Sequence, residues 1–225
     1  MRQTALQRDP GQLGGYSGQQ VGFGAQIVRT LANIFTSKGW SSAVIFIDPS
    51  TAFHHLVREF ITGVGDEADY HTVLAALRGA GTPLDAAAQG RILVSLLERK
   101  NVDGLLTRLL RDLHQSTWFS LSGVDVTRTL RGTCPRSPLA DVAFHLLMGD
   151  IADLRAWIAS RSEFTALMQT LGLEAQLVIW SDDLAIPWAT EQACDLPEAL
   201  QALMSEVDTQ FRRRGFQVNY QKEKT

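Results

Sequence analysis

The feature that most constrains this chain is a short polar break, Ser181-Asp182-Asp183, between two apolar runs. The first run is Glu174-Ala-Gln-Leu-Val-Ile-Trp180 and the second is Leu184-Ala-Ile-Pro-Trp-Ala189. Apolar runs of this length around a tight polar break predict a β-hairpin with both acids at the turn. Adjacent like charges repel, so the pair is a poor structural device. It suits divalent cations, which prefer carboxylate oxygens. A third acid, Asp48, ends another apolar run, Ala43-Val-Ile-Phe-Ile-Asp48, which has the composition of a buried strand. Taken alone, an Asp-Asp pair is most often a solvated turn, and a lone Asp a strand-end acid or helix cap.

The rest of the chain supplies the context. A length of 225 residues suits one domain or two small lobes, and 45% hydrophobic with 20% charged residues allows an ordinary core. The net charge of −3 argues against a large nucleic-acid-binding surface but allows a local basic channel. The apolar stretches are too short for a membrane span, and no secretory signal is visible at the N-terminus. Cys134 and Cys194 lie in no metal or redox spacing, which reads as two reduced thiols in an intracellular protein.

Residues 1–24 are Gly-, Gln- and Arg-rich and are expected to be irregular. Helices are expected over 25–36 and 51–61, with two or three more in 67–115, broken at Gly79-Ala-Gly-Thr-Pro83. Residues 117–121 and 124–129 form a predicted hairpin around Ser122-Gly123. Ser137-Pro138 has the form of a helix start. Leu139, Val142, Leu146, Ile151, Leu154 and Ile158 then mark one face of a long helix. A last helix begins near Leu196 and ends before Gly215, followed by a short strand over 216–219. Strands and helices do not alternate strictly. The fold class expected is therefore α+β, an antiparallel sheet backed by helices on one face.

Four blocks in this order match a family. Phe46-Ile-Asp48-Pro-Ser-Thr-Ala52-Phe53 is similar to a first motif, F-x-D-x-x-x-A-F. Arg131-Gly132-Thr-Cys-Pro-Arg-Ser137-Pro138-Leu139-Ala140 is similar to a second, R-G-x-x-Q-G-S-P-L-S. Trp180-Ser181-Asp182-Asp183 matches an aromatic-x-D-D, and Gly215-Phe-Gln-Val-Asn219-Tyr-Gln-Lys222-Glu-Lys224-Thr225 matches G-L-x-x-N-x-x-K-x-K-T. The chain thereby resembles the palm region of reverse transcriptases, most closely those of non-LTR retrotransposons. The resemblance spans roughly residues 12–225.

The resemblance implies a right-hand polymerase palm with partial fingers and no thumb, residues 25–225 being a fingers/palm region truncated at both ends. It implies RNA-directed DNA polymerase activity on an RNA template and DNA primer with dNTPs, using two Mg²⁺ or Mn²⁺ ions. Asp48, Asp182 and Asp183 would be the catalytic metal ligands. Phe53 would stack under the deoxyribose and exclude a 2′-hydroxyl. Ser137 and Pro138 would shape the turn under the incoming nucleotide, and Lys222 or Lys224 would lie near the triphosphate. By the resemblance alone, a nuclear site of action follows.

The second motif departs from the pattern, with Pro135-Arg136 where Gln-Gly is usual. Arg cannot copy a glycine of positive φ without strain. The alternative is a catalytically inactive remnant that at most binds nucleic acid. A viral-type RNA polymerase shares the Asp-Asp hairpin, but Phe53 and the Gly215–Thr225 ending argue against it. Arg212-Arg213-Arg214 reads as a solvated helix end.

Overall fold

The computed structural model describes residues 21–49, 56–79, 81–82, 84–114, 117–121, 123, 125–129, 132, 146–148, 151–161, 165–170, 177–180 and 183–220. Along the chain the elements are α1 (Val21–Ser37), β1 (Ser41–Ile47), α2 (Glu59–Thr62), α3 (Glu67–Gly79), α4 (Ala86–Leu93), α5 (Leu96–Arg99), α6 (Gly104–His114), β2 (Trp118–Leu121), β3 (Asp125–Arg128), α7 (Ala152–Arg161), α8 (Thr165–Thr170), β4 (Val178–Trp180), β5 (Asp183–Thr190) and α9 (Leu196–Arg212). The protein is α+β, as the interleaved pattern predicts. Among the described residues no helix is long and apolar enough to cross a membrane.

The described residues fall into two compact units. One draws on 8–50, 148–211 and 217–225, the other on 51–147 and 212–216. The first is built on an antiparallel sheet of three strands in the order β1-β5-β4. Ser41 to Ile47 pair with Thr190 to Leu184, and Val178 to Trp180 pair with Ala185 to Asp183. Paired residues share a face of the pleat. Ile47, Ile179, Leu184, Ile186 and Trp188 therefore form one face, and all are buried. Trp157 of α7 packs on Trp188 there, with ring centroids 6.0 Å apart. The other face carries Phe46, Val178, Ala185 and Ala189, with α1 packed against the strands. Helical cover thus lies on both faces, where one had been expected. Buried Val178 and Ala189 show why: this face also is apolar. The described part of β4 ends with Val178↔Ala185, short of Pro187, which pairs with Val44 of β1. No described β4 residue therefore pairs with Pro187, which has no N–H to donate.

The second unit centres on α2, a single turn packed against α4, α5 and α6. Two arginines tie α2 and α6 together reciprocally. Arg111, in the last turn of α6, donates from Nε and one terminal nitrogen to Thr62 O, at 3.1 and 2.9 Å. Arg58, immediately before α2, donates to His114 O at 2.7 Å. Each cation thus satisfies a carbonyl at the C-terminal end of the other helix, where carbonyls lack intrahelical partners and the dipole is negative. Arg58 also reaches the hydroxyls of Thr117 and Thr129 and, at 2.6 Å, Thr129 O, at the base of the β2–β3 hairpin.

Several boundaries differ from expectation. α1 begins at Val21, so the irregular segment ends earlier than residue 24. Between 51 and 61 only Glu59–Ile61 are helical among the described residues, as part of α2. Leu56 and Val57 are not helical, and 51–55 lie outside the described residues. Four helices occupy 67–114, one more than the expected maximum. The long helix from Ser137 is not continuous: Ile151 is non-helical, and α7 starts after it. Gly149 and Asp150, both weak helix formers, immediately precede this break. Helix α9 and Gly215 at φ +81° follow the expected C-terminal pattern. The expected strand over 216–219 is a single bridge, Pro49↔Val218.

Candidate metal and nucleotide site

The sheet places two acids side by side. Ile47↔Leu184 is the last pair at one end of the β1–β5 ladder, and the two side chains are 2% and 1% exposed. Burial of this pair fixes the register, since a one-residue slip of either strand would turn its buried side chain to the opposite face. One step further along β1 stands Asp48, and one step back along β5 stands Asp183. The pleat turns both to the face opposite the buried pair, and both are exposed. Asp183 is not in the turn as expected. It opens β5 and pairs with half-buried Trp180 of β4.

A third segment closes on Asp48 from far along the chain. The backbone N–H of Asn219 donates to Asp48 O at 3.0 Å, and its side-chain Nδ2 donates to Asp48 Oδ2 at 3.3 Å. The Pro49↔Val218 bridge lies beside these bonds, and Val218 is 9% exposed.

Asp48, Asp183, Trp180, Phe46 and Asn219 line one cavity of about 880 Å³. Its far wall is α1, through Gly24, Ala25, Val28, Arg29 and Ala32. Small residues at a helical spacing of three and four leave this space open. The walls are mostly apolar, and the charged lining residues are Asp48, Asp183 and Arg29.

The donor set fits a hard divalent cation in kind, because both acids offer carboxylate oxygens on one face. Among the described residues no group of three or more His, Cys, Asp or Glu is placed to hold a metal ion. Asp182, the third expected ligand, lies outside the described residues, as do Phe53, Ser137, Pro138, Lys222 and Lys224. Of the expected site residues the structure therefore locates Asp48 and Asp183, and it brings them together. It adds Arg29 and gives Asn219 a partner. For Arg29 the available signal was its place on the α1 stripe with Ala25, Val28 and Ala32.

No family model matches the chain, and no curated protein matches it.

Proposed function

We propose that this chain is the palm-centred part of an RNA-directed DNA polymerase. The observation that supports the reading is convergence on one cavity. Asp48 of the first motif, Trp180 and Asp183 of the third, and Asn219 of the fourth all line it, although they come from three separate stretches of the sequence. Asp48 and Asp183, with Asp182 between Asp183 and Ser181 in the chain, would hold two divalent cations. When bound, these ions would activate a primer 3′-hydroxyl and stabilise charge on the triphosphate. The protein's own part is positioning. Buried Ile47 and Leu184 fix the two strand ends, so the acids meet without reorganisation when a nucleotide enters. Phe53 would bear on the sugar, favouring dNTPs over NTPs. Ser137 and Pro138 would seat the base pair, and Lys222 or Lys224 would face the phosphates.

A second reading has one observation in its favour. Arg136 stands where the second motif has glycine, which points to a folded but inactive remnant that binds nucleic acid weakly. Primer extension on oligo(dT)-primed poly(rA), with Mg²⁺ or Mn²⁺, separates the two. Extension by the parent and none by Asp182→Asn is the expected result. Equal extension by both proteins would end the polymerase reading. No extension by either, persisting when fingers and thumb segments are supplied in a longer chain, would favour the remnant.

A further inference from the structure

Asn219 grips Asp48, one member of the carboxylate pair. It touches Asp48 twice, through the backbone at 3.0 Å and through Nδ2 on Oδ2 at 3.3 Å. A carboxylate only accepts hydrogen bonds, so the amide must present its NH₂ end to it. The contact joins residues 171 apart in the chain. The neighbouring bridge Pro49↔Val218, with Val218 buried, holds the Asn219 backbone independently of its side chain.

This geometry has a chemical consequence. An exposed aspartate rotates freely about its side-chain bonds. A donor fixed on Oδ2 stops that rotation and leaves Oδ1 as the oxygen without a described hydrogen-bond donor. A lysine or arginine in the same place would also hold Asp48, but it would cancel the charge a cation needs. The neutral amide orients the carboxylate and leaves its charge intact. Partners of this kind set the orientation of metal ligands in general.

We infer that Asn219 is a positioning residue for Asp48, presetting its carboxylate to receive a divalent cation. This rests on the reading of Asp48 as a metal ligand given above. It assigns a role to the asparagine of the fourth motif that is separate from its lysines.

The test uses Mn²⁺ alone as the probe, titrated into the purified chain and followed by electron paramagnetic resonance. The proteins are the parent, Asn219→Leu, Asn219→Ser, Asp48→Asn and the double variant Asn219→Leu/Asp48→Asn. Circular dichroism checks that each is folded, and the serine variant keeps the test open if leucine disturbs packing. Asp48→Asn should weaken binding. Both Asn219 variants should weaken it about tenfold, the low end for a residue behind a metal ligand, since the bond is long and exposed. The double variant should bind no worse than Asp48→Asn, because the amide then has no carboxylate to orient. Parent-like affinity in both Asn219 variants, with Asp48→Asn impaired, would overturn the inference and leave the metal-site reading standing. An additive loss in the double variant would also overturn it, since Asn219 would then act elsewhere. Equal binding by the parent and Asp48→Asn would remove Asp48 as a ligand, and both would fall together.

Discussion

Replacing Arg58 with methionine should unlock the second unit. Arg58 is 4% exposed and donates to two backbone carbonyls, His114 O at 2.7 Å and Thr129 O at 2.6 Å, and to the Thr117 and Thr129 hydroxyls. A hydrogen bond to a charged group nets about 1.5–3 kcal/mol, so the two carbonyl bonds alone are worth about 3–6 kcal/mol. Methionine fills the space of the aliphatic stem and relieves the cost of burying a cation, which offsets part of that loss. The net expectation is a destabilisation of about 3 kcal/mol. For a chain of this size about 1 kcal/mol moves the melting temperature by about 2–4 °C, giving a fall of about 6–12 °C. Differential scanning calorimetry is the assay. If the two units melt separately, only one transition should move. Lysine at 58 should recover little, because one ammonium cannot span acceptors on α6 and on the β2–β3 hairpin. A fall of less than about 2 °C for Arg58→Met would refute the brace, the gain from these bonds being cancelled by the cost of burying the cation.

Three further outcomes follow from the same unit. Gly63 ends α2 at φ +69° and ψ −170°, and a Cβ there would lie 3.1 Å from Ser95 Cβ. Gly63→Ala should therefore cost about 1–3 kcal/mol in denaturant unfolding, and a neutral result would mean that the backbone relaxes. Asp85 caps α4 through Ala88 N–H and meets Arg213 at 2.8 Å. Burial pushes its carboxyl up, but the Ala88 bond and the Arg213 bond and charge outweigh this and hold it below its ordinary value. The lowered folded value means that the stabilisation is complete above about pH 4 and is lost as pH falls through the folded value. Asp85→Ala should cost about 1 kcal/mol at pH 7, with the gap from the parent narrowing in melts below about pH 4. A gap that does not change with pH would rule out the charge contribution. Leu109 on α6 is 52% exposed whereas Leu96 is 0% exposed. Leu109→Gln should stay within about 0.5 kcal/mol of the parent in denaturant unfolding, whereas Leu96→Ala should lose about 2–5 kcal/mol; similar losses at both positions would mean that α6 is covered.

Helix α6 marks one limit of pattern reading. Leu105, Leu106, Leu109 and Leu113 form an apolar stripe of the kind that usually faces a core, yet they are 46–76% exposed. The helix instead turns Thr107, Leu110, Arg111 and His114 inward, to the side where Arg111 caps α2 and His114 O meets Arg58. Periodicity identifies the stripe, but partners distant in the chain decide which way it points. The region after Ser137 marks another limit. Its apolar spacing runs through Ile151 without a break, while helical order is interrupted there. Spacing scores side chains alone and cannot see the backbone preference of an intervening Gly-Asp pair.

The hairpin was legible for the opposite reason. Two short, largely apolar runs flank a tight polar break, which is enough to predict β4 and β5, whereas their pairing with β1 and its register come from the structure. That register alone brings Asp48 to Asp183. The closing contact from Asn219 was not legible, because nothing local to Gly215–Tyr220 announces a partner 171 residues away. A chain can therefore show its acids in short motifs while hiding what aims them. The carboxylates are set by local strand ends, and their orientation depends on a long-range tether. A substitution at Asn219 should consequently leave the sheet intact while changing how Asp48 meets a cation, which is the separation between folding and site chemistry that the Mn²⁺ titration measures.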